Sequence, residues 1–311
     1  MHALICGSMA FDTIMVFKDR FKNHILPDKI HMLNVAFLVP DMRREFGGCA
    51  GNIAYNLQML GGKPLIMASV GDDFQPYRDR LEKLGIAQDH IRHVSDTYTA
   101  QAFITTDLDD NQITAFHPGA MNFSHQNHVA DAHDVSLGIV APDGRDGMLQ
   151  HAREFQEAGI PFIFDPGQGL PMFGGDDIRN FLDQADYLAC NDYEAQLIQE
   201  KTGESMERLA RNVKAAIVTL GSQGSFIYAD GRRHEIPCVK ASEVIDPTGC
   251  GDAYRAGLIH GIQSGMDWET TGRLASLTGS IKIGNRGGQN HSMSREEIGE
   301  RYKAAFRTAI W

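Results

Sequence analysis

The chain has 311 residues, room for one large α/β domain with an insertion or for two domains of ordinary size. Forty acidic against twenty-nine basic side chains leave a net charge of −11, which argues against nucleic acid or an anionic membrane as the main partner. Five scattered cysteines without a Cys-x-x-Cys pair, no export signal and no apolar run near the ~20 residues that span a bilayer point to a soluble, cytoplasmic protein.

Residues 4–6 read as a first buried strand, followed by a loop, Gly7-Ser8-Met9-Ala10-Phe11-Asp12, that puts Asp12 where α/β proteins bind ligands. Residues 17–45 read as an excursion from the core. Gly47-Gly48-Cys49-Ala50-Gly51-Asn52 then opens a helix of small and apolar residues that ends at Gly61-Gly62, and 65–70 is the next strand. Residues 100–106 and 112–116, joined by an acidic turn, form a predicted β-hairpin that groups with the excursion. From residue 137 strands (137–141, 161–165, 187–190, 215–220) alternate with helices (146–158, 178–184, 193–201), the pattern of parallel strands linked by right-handed crossovers. A second hairpin, 225–229 with 232–236, precedes a largely helical end broken by glycines 284–288. The expected architecture is a three-layer α/β/α core (1–12, 47–96 and 119–311) with a mostly parallel sheet, carrying a small β lid (13–46 and 97–118).

The chemistry concentrates in Asp246-Pro247-Thr248-Gly249-Cys250-Gly251-Asp252-Ala253-Tyr254-Arg255-Ala256-Gly257. Glycines around a small residue let bare backbone approach a ligand, and a helix starts at once, so its free N–H groups and dipole can hold a transferring phosphoryl group. Asp252 stands beside them as a base. Gly249, Cys250 and Gly251 are thus the candidate anion hole. Walker A is absent, since the one Gly-Lys, Gly62-Lys63, is followed by Pro64. Asn191-Asp192-Tyr193-Glu194 and Thr219-Leu220-Gly221-Ser222-Gln223-Gly224 each follow a predicted strand. Alone, the first also spells a helix N-cap with an acid in its first turn, and the second a tight turn.

In this order, the three motifs resemble those of the ribokinase-like (PfkB) family of carbohydrate and nucleoside kinases, whose common signature is Asp-Thr-Thr-Gly-Ala-Gly-Asp-Ala-Phe. Here Pro247, Cys250 and Tyr254 replace a threonine, an alanine and a phenylalanine. The resemblance implies a ribokinase-like fold with Asp252 as catalytic base and ATP as phosphate donor. It places Asn191, Thr219, Gly221 and Gly224 at the nucleotide, Glu194 at magnesium through water, and Asp246 at a monovalent cation such as K+. Ser8, Asp12, Gly47, Gly48 and Asn52 fall on its sugar-recognition positions.

Further stretches, among them Leu26-Pro27, Thr105-Thr106-Asp107, Phe116-His117-Pro118-Gly119-Ala120-Met121 and Asp165-Pro166-Gly167-Gln168, look like bacterial adenosine kinases. That implies purine stacking on Phe103 and Phe116, a nucleoside contact from Gln168, and formation of AMP from adenosine. A ribokinase or other sugar kinase, an inosine-guanosine kinase and a non-catalytic nucleoside-binding regulator are the alternatives. A homodimer through the lid is the expected assembly.

Overall fold

The computed structural model describes residues 1–25, 34–109 and 111–311, so Leu26-Pro27 lies outside the described residues. The large sheet has nine strands: β1 (His2–Cys6), β4 (Pro64–Val70), β5 (Ile91–His93), β8 (Val135–Val140), β9 (Phe162–Phe164), β10 (Tyr187–Asn191), β11 (Ala215–Thr219), β12 (Ser225–Ala229) and β13 (Arg232–Ile236). They lie in the order β13-β12-β11-β10-β9-β8-β1-β4-β5. All pairings from β11 to β5 are parallel, and β12 and β13 close one edge antiparallel.

Alternation within each strand explains the layers, because neighbouring side chains leave a strand on opposite faces. Ile5, Ile139, Ile163, Ala189 and Ile217 pack toward α1 (Cys49–Met59), α2 (Gln75–Leu84) and α7 (Cys250–Gln263). Leu4, Cys6, Val140, Phe162, Phe164 and Leu188 pack toward α3 (Arg145–Ala158), α4 (Gly175–Gln184) and α5 (Asp192–Thr202). α8 (Trp268–Ile283) crosses α7 so closely that a Cβ on Gly257 would meet the Ala275 backbone. α6 (Met206–Leu209) and α9 (Arg295–Phe306) complete the helices, none of which, among the described residues, is long and apolar enough to cross a membrane.

The chain leaves β1 for β4 on one side and returns to β8 on the other. That reversal is the topological switch point, and ligands of open α/β sheets bind outside the carboxyl ends of strands there.

A second sheet rises from this point. It contains β2 (Ala10–Val16), β3 (Asp41–Gly47), β6 (Ala100–Thr106) and β7 (Gln112–His117), in the order β3-β2-β6-β7. Here the expected loop after β1 is corrected: β2 begins at Ala10, so Asp12 projects from the centre of the small sheet. Ala10 and Phe11 are buried, and β2 is paired on both sides, which makes those positions strand rather than loop. β5 and α2 were also absent from the expected elements. β5 is only three residues long, and α2 buries just Tyr77 and Leu81 among many charges.

Register divides the small sheet into two faces. Glu45, Asp12, Ala102 and Phe116 form one cross-strand row, while Arg44, Thr13, Phe103 and Ala115 form the next. Adjacent rows point to opposite faces. Phe103 therefore cannot join Phe116 around a single base beside Asp12 of the same chain, which corrects the expectation of a shared pocket.

Candidate active site

Gly249 is in the left-handed region at φ 78° and caps α7, turning the chain abruptly from loop to helix. Cys250 N–H donates to Pro247 O at 3.1 Å, and the Ala253 N–H donates to Gly249 O at 3.0 Å. Of the three anion-hole candidates, Cys250 opens the helix and has its amide engaged, while Gly251, the most exposed of them, follows it in the first turn. Orphan donors in a first helical turn suit an anion.

Asp252, in that first turn, accepts from Asn52 Nδ2 at 2.8 Å. Burial lifts its pKa to about 6; the Asn52 bond opposes the rise, Asp165 adds to it and Arg255 counteracts it. A carboxylate poised near neutrality is the tuning a general base needs. By contrast, burial pushes the Cys250 thiol up to about 11, which removes it as a thiolate nucleophile.

Asn52 sits on α1, 4% exposed. Its Oδ1 accepts from Gln289 Nε2 at 3.1 Å, and the same nitrogen donates to Tyr77 OH at 2.5 Å, which in turn donates to Gly47 O at 3.0 Å. Arg80 donates to Gln289 from the far side. With its oxygen taken by Gln289, the Asn52 amide must present nitrogen to Asp252.

Asp12 is also lifted to about 6, by burial first and then by Asp246 and Glu45. Gly47 and Gly48 belong to this corner. A Cβ on Gly47 would collide with the Asp12 carboxylate, and one on Gly48, at φ 86°, with the Ser8 backbone. Ser8 Oγ accepts from Cys49 N–H at 3.2 Å, at the start of α1. Gln168 is exposed in the 3-10 turn just past β9. The Gly47→Ala variant is expected to push the Asp12 carboxylate aside. Steady-state kinetics should then show a raised KM for the phosphate acceptor and a smaller change in kcat.

At the carboxyl ends of β10 and β11 lie the other two motifs. Asn191 and Glu194 form a reciprocal capping box: Asn191 Oδ1 accepts from Glu194 N–H at 2.7 Å, and Glu194 Oε2 accepts from Asn191 N–H at 2.8 Å. Burial raises the Glu194 pKa, and Asp165 adds to the rise. Thr219 Oγ1 donates to Cys190 O at 3.4 Å, while Gly221 and Gly224 take positive φ in the turn between β11 and β12. The described residues contain no group of three or more side chains arranged as metal ligands. Magnesium keeps most of its waters and leans on substrate phosphates, so Glu194, whose two oxygens already accept from the Asn191 N–H and Nδ2, suits it through water and not by direct ligation.

Asp246 accepts from Thr248 N–H and from Gly287 N–H, both at 2.9 Å. These bonds hold its pKa low against burial. Sequence reasoning missed two further participants. Arg255, one helical turn beyond Asp252, makes a two-pronged ion pair with Asp165 at 3.1 and 3.0 Å, with both side chains 6% exposed. Gln289 lies just past the glycine-rich segment. The i, i+3 spacing from Asp252 was the one available cue for Arg255.

The pfkB family of carbohydrate kinases is matched over residues 13–295. The chain is 32% identical over 310 residues to a nucleoside kinase of Methanothermobacter thermautotrophicus, covering 97% of this chain and 96% of that one. A solved structure of the Burkholderia thailandensis nucleoside kinase in complex with inosine superposes with a TM-score of 0.91, at 53% identity and 99% coverage of both chains. The Methanocaldococcus jannaschii nucleoside kinase, an archaeal member of the ribokinase family, gives 0.89 at 29% identity, covering 98% of this chain and 99% of that one. The chain belongs to the pfkB family, has the ribokinase-like α/β fold, and is a phosphotransferase acting on a hydroxyl group.

Proposed function

We propose that the protein is an ATP-dependent nucleoside kinase that phosphorylates the 5′-hydroxyl of adenosine to give AMP. The observation that carries this reading is the Asp252 carboxylate, lifted to about 6 and held by Asn52 in the first turn of the helix that Gly249 caps. Asp252 takes the proton of the attacking hydroxyl, and the Gly249 and Gly251 backbone faces the charge on the phosphoryl group in flight, the Cys250 amide between them being held by Pro247 O. Because the transition state of such transfers is loose, placement of the two reactants matters more than strong basicity. Magnesium, held by Glu194 through water and by the triphosphate, would neutralise charge on the phosphates. Asn191, Thr219, Gly221 and Gly224 border the donor nucleotide.

Asp12 is acceptor-only when ionised and reads a pair of ribose hydroxyls, with Ser8, Gly47, Gly48 and Asn52 shaping that corner. Phe116 lies on the same face as Asp12, two strand spacings or roughly 10 Å away, about the length of a nucleoside. It supplies the stacking surface for the base, and Gln168 a polar contact. The small sheet of β2, β3, β6 and β7 acts as the lid, and its closure excludes water from the transferred group. The face that carries Phe103, Met42 and Ile113, all exposed, is where we place a homodimer contact. Sedimentation analysis checks that assembly.

Inosine is a second acceptor to consider, since the Burkholderia thailandensis relative was solved with it bound. The deciding experiment incubates the protein with MgATP and, separately, adenosine, inosine, guanosine, ribose and fructose, and identifies products by mass. AMP as the main product supports the proposal; phosphorylated sugar alone overturns it. Phe116→Ala is expected to raise KM for the nucleoside by ~10- to 100-fold, the equivalent of ~1–3 kcal/mol of lost stacking. An unchanged KM would move the base elsewhere.

A further inference from the structure

We propose that the Lys282 ammonium is a built-in monovalent cation, which fixes the loop behind the anion hole and makes a free K+ ion unnecessary. Lys282 lies in the last turn of α8 and is 0% exposed. Its Nζ donates to Asp246 O at 2.6 Å and to Asn285 O at 3.0 Å. These carbonyls belong to the two segments that embrace the start of α7, one entering Gly249 and the other leaving α8. The Asp246 carboxylate staples the same segments through Thr248 and Gly287.

The end of α8 points into this cluster, since the Ile245 and Asp246 N–H groups both donate to Ile283 O, at 2.9 and 3.1 Å. The carboxyl end of a helix carries partial negative charge, so main-chain oxygens and dipole together favour a cation at this point. A metal ion at Asp246, as the family resemblance implies, does not fit the donor set. The oxygens that would be turned toward it are turned toward the ammonium, and both oxygens of the Asp246 carboxylate are bound to amides. A lysine that merely capped α8 would bond carbonyls of its own helix end. Lys282 bonds one such carbonyl, Asn285 O, and also reaches one 36 residues back in the chain.

The turnover arm of the test rests on the phosphoryl transfer proposed above; the melting arm does not. Wild-type protein assayed in choline, sodium, potassium or ammonium chloride at one ionic strength is expected to differ by less than ~2-fold in kcat, because the cation site is already filled. Lys282→Ala in choline chloride is expected to lose ~10-fold or more in kcat and to recover most of it with K+ or NH4+. Without substrate, K+ or NH4+ should raise the melting temperature of Lys282→Ala and leave that of the wild type unchanged, because only the variant has a site to fill. The inference is overturned if K+ activates the wild type ~10-fold or raises its melting temperature. It is equally overturned if Lys282→Ala folds and is indifferent to the cation in both readouts. Should the variant fail to fold, the wild-type cation series alone decides. A catalytically silent protein would condemn the proposed reaction, while the melting comparison would still judge Lys282.

Discussion

Asp252→Asn is expected to lower kcat by at least ~10²-fold while leaving KM for the nucleoside near its original value, because in the proposed reaction this side chain handles the proton while the pocket holds the substrate. The substitution is nearly isosteric. Its oxygen can still accept from Asn52 Nδ2, so the helix start keeps its shape. Wild-type kcat/KM should fall as pH drops through about 6, the value to which burial lifts Asp252, and this limb should be missing from the residual activity of the variant. Stability is expected to move the other way. A carboxyl raised from 3.8 to about 6 on folding contributes stability that is fully present below pH 3.8 and is lost as pH rises through about 6. Asp252→Asn should therefore melt above the wild type at pH 8 and together with it near pH 4. Near-normal turnover would remove Asp252 from the base role, whatever the melting curves show.

What could be read in the sequence was local. Glycines forced by positive φ or close approach, polar residues at strand exits and the alternation of strands with helices each declare themselves within a few residues, and so the parallel core, both hairpins and the three motifs were legible. Asp12, a candidate site residue, was expected in a loop and lies in β2. An acid amid apolar residues gives no clean strand pattern until the pairing of β2 on both sides is known. The separation of Phe103 from Phe116 was available and missed, since strands 100–106 and 112–116 already set residue 103 opposite 115. The supports of the site were out of reach. Gln289 meets Asn52 across 237 residues, Arg255 meets Asp165 across 90, and Lys282 meets Asp246 across 36. No periodicity encodes such pairs.

The Arg255–Asp165 pair should carry the largest stability effect in the chain. Arg255→Met strands the buried Asp165 carboxylate without its cation, and breaking a buried pair in this way typically costs ~3–5 kcal/mol. Replacing both partners, as in Asp165→Leu with Arg255→Met, leaves no orphan charge and should recover much of that loss in urea titrations. Arg255→Lys should fall between, since an ammonium keeps the charge but cannot match the two bonds at 3.1 and 3.0 Å. The pair also bears on the base one turn away: Asp165 raises the Asp252 pKa and Arg255 lowers it. Losing Arg255 alone leaves the Asp165 charge unopposed, and the acidic limb of kcat/KM is expected to move above 6. Losing both charges should return the limb toward its original position. A variant that is destabilised without any shift of the limb would make the pair an anchor for α7 and nothing more. An Arg255→Met protein as stable as the wild type would deny it even that role.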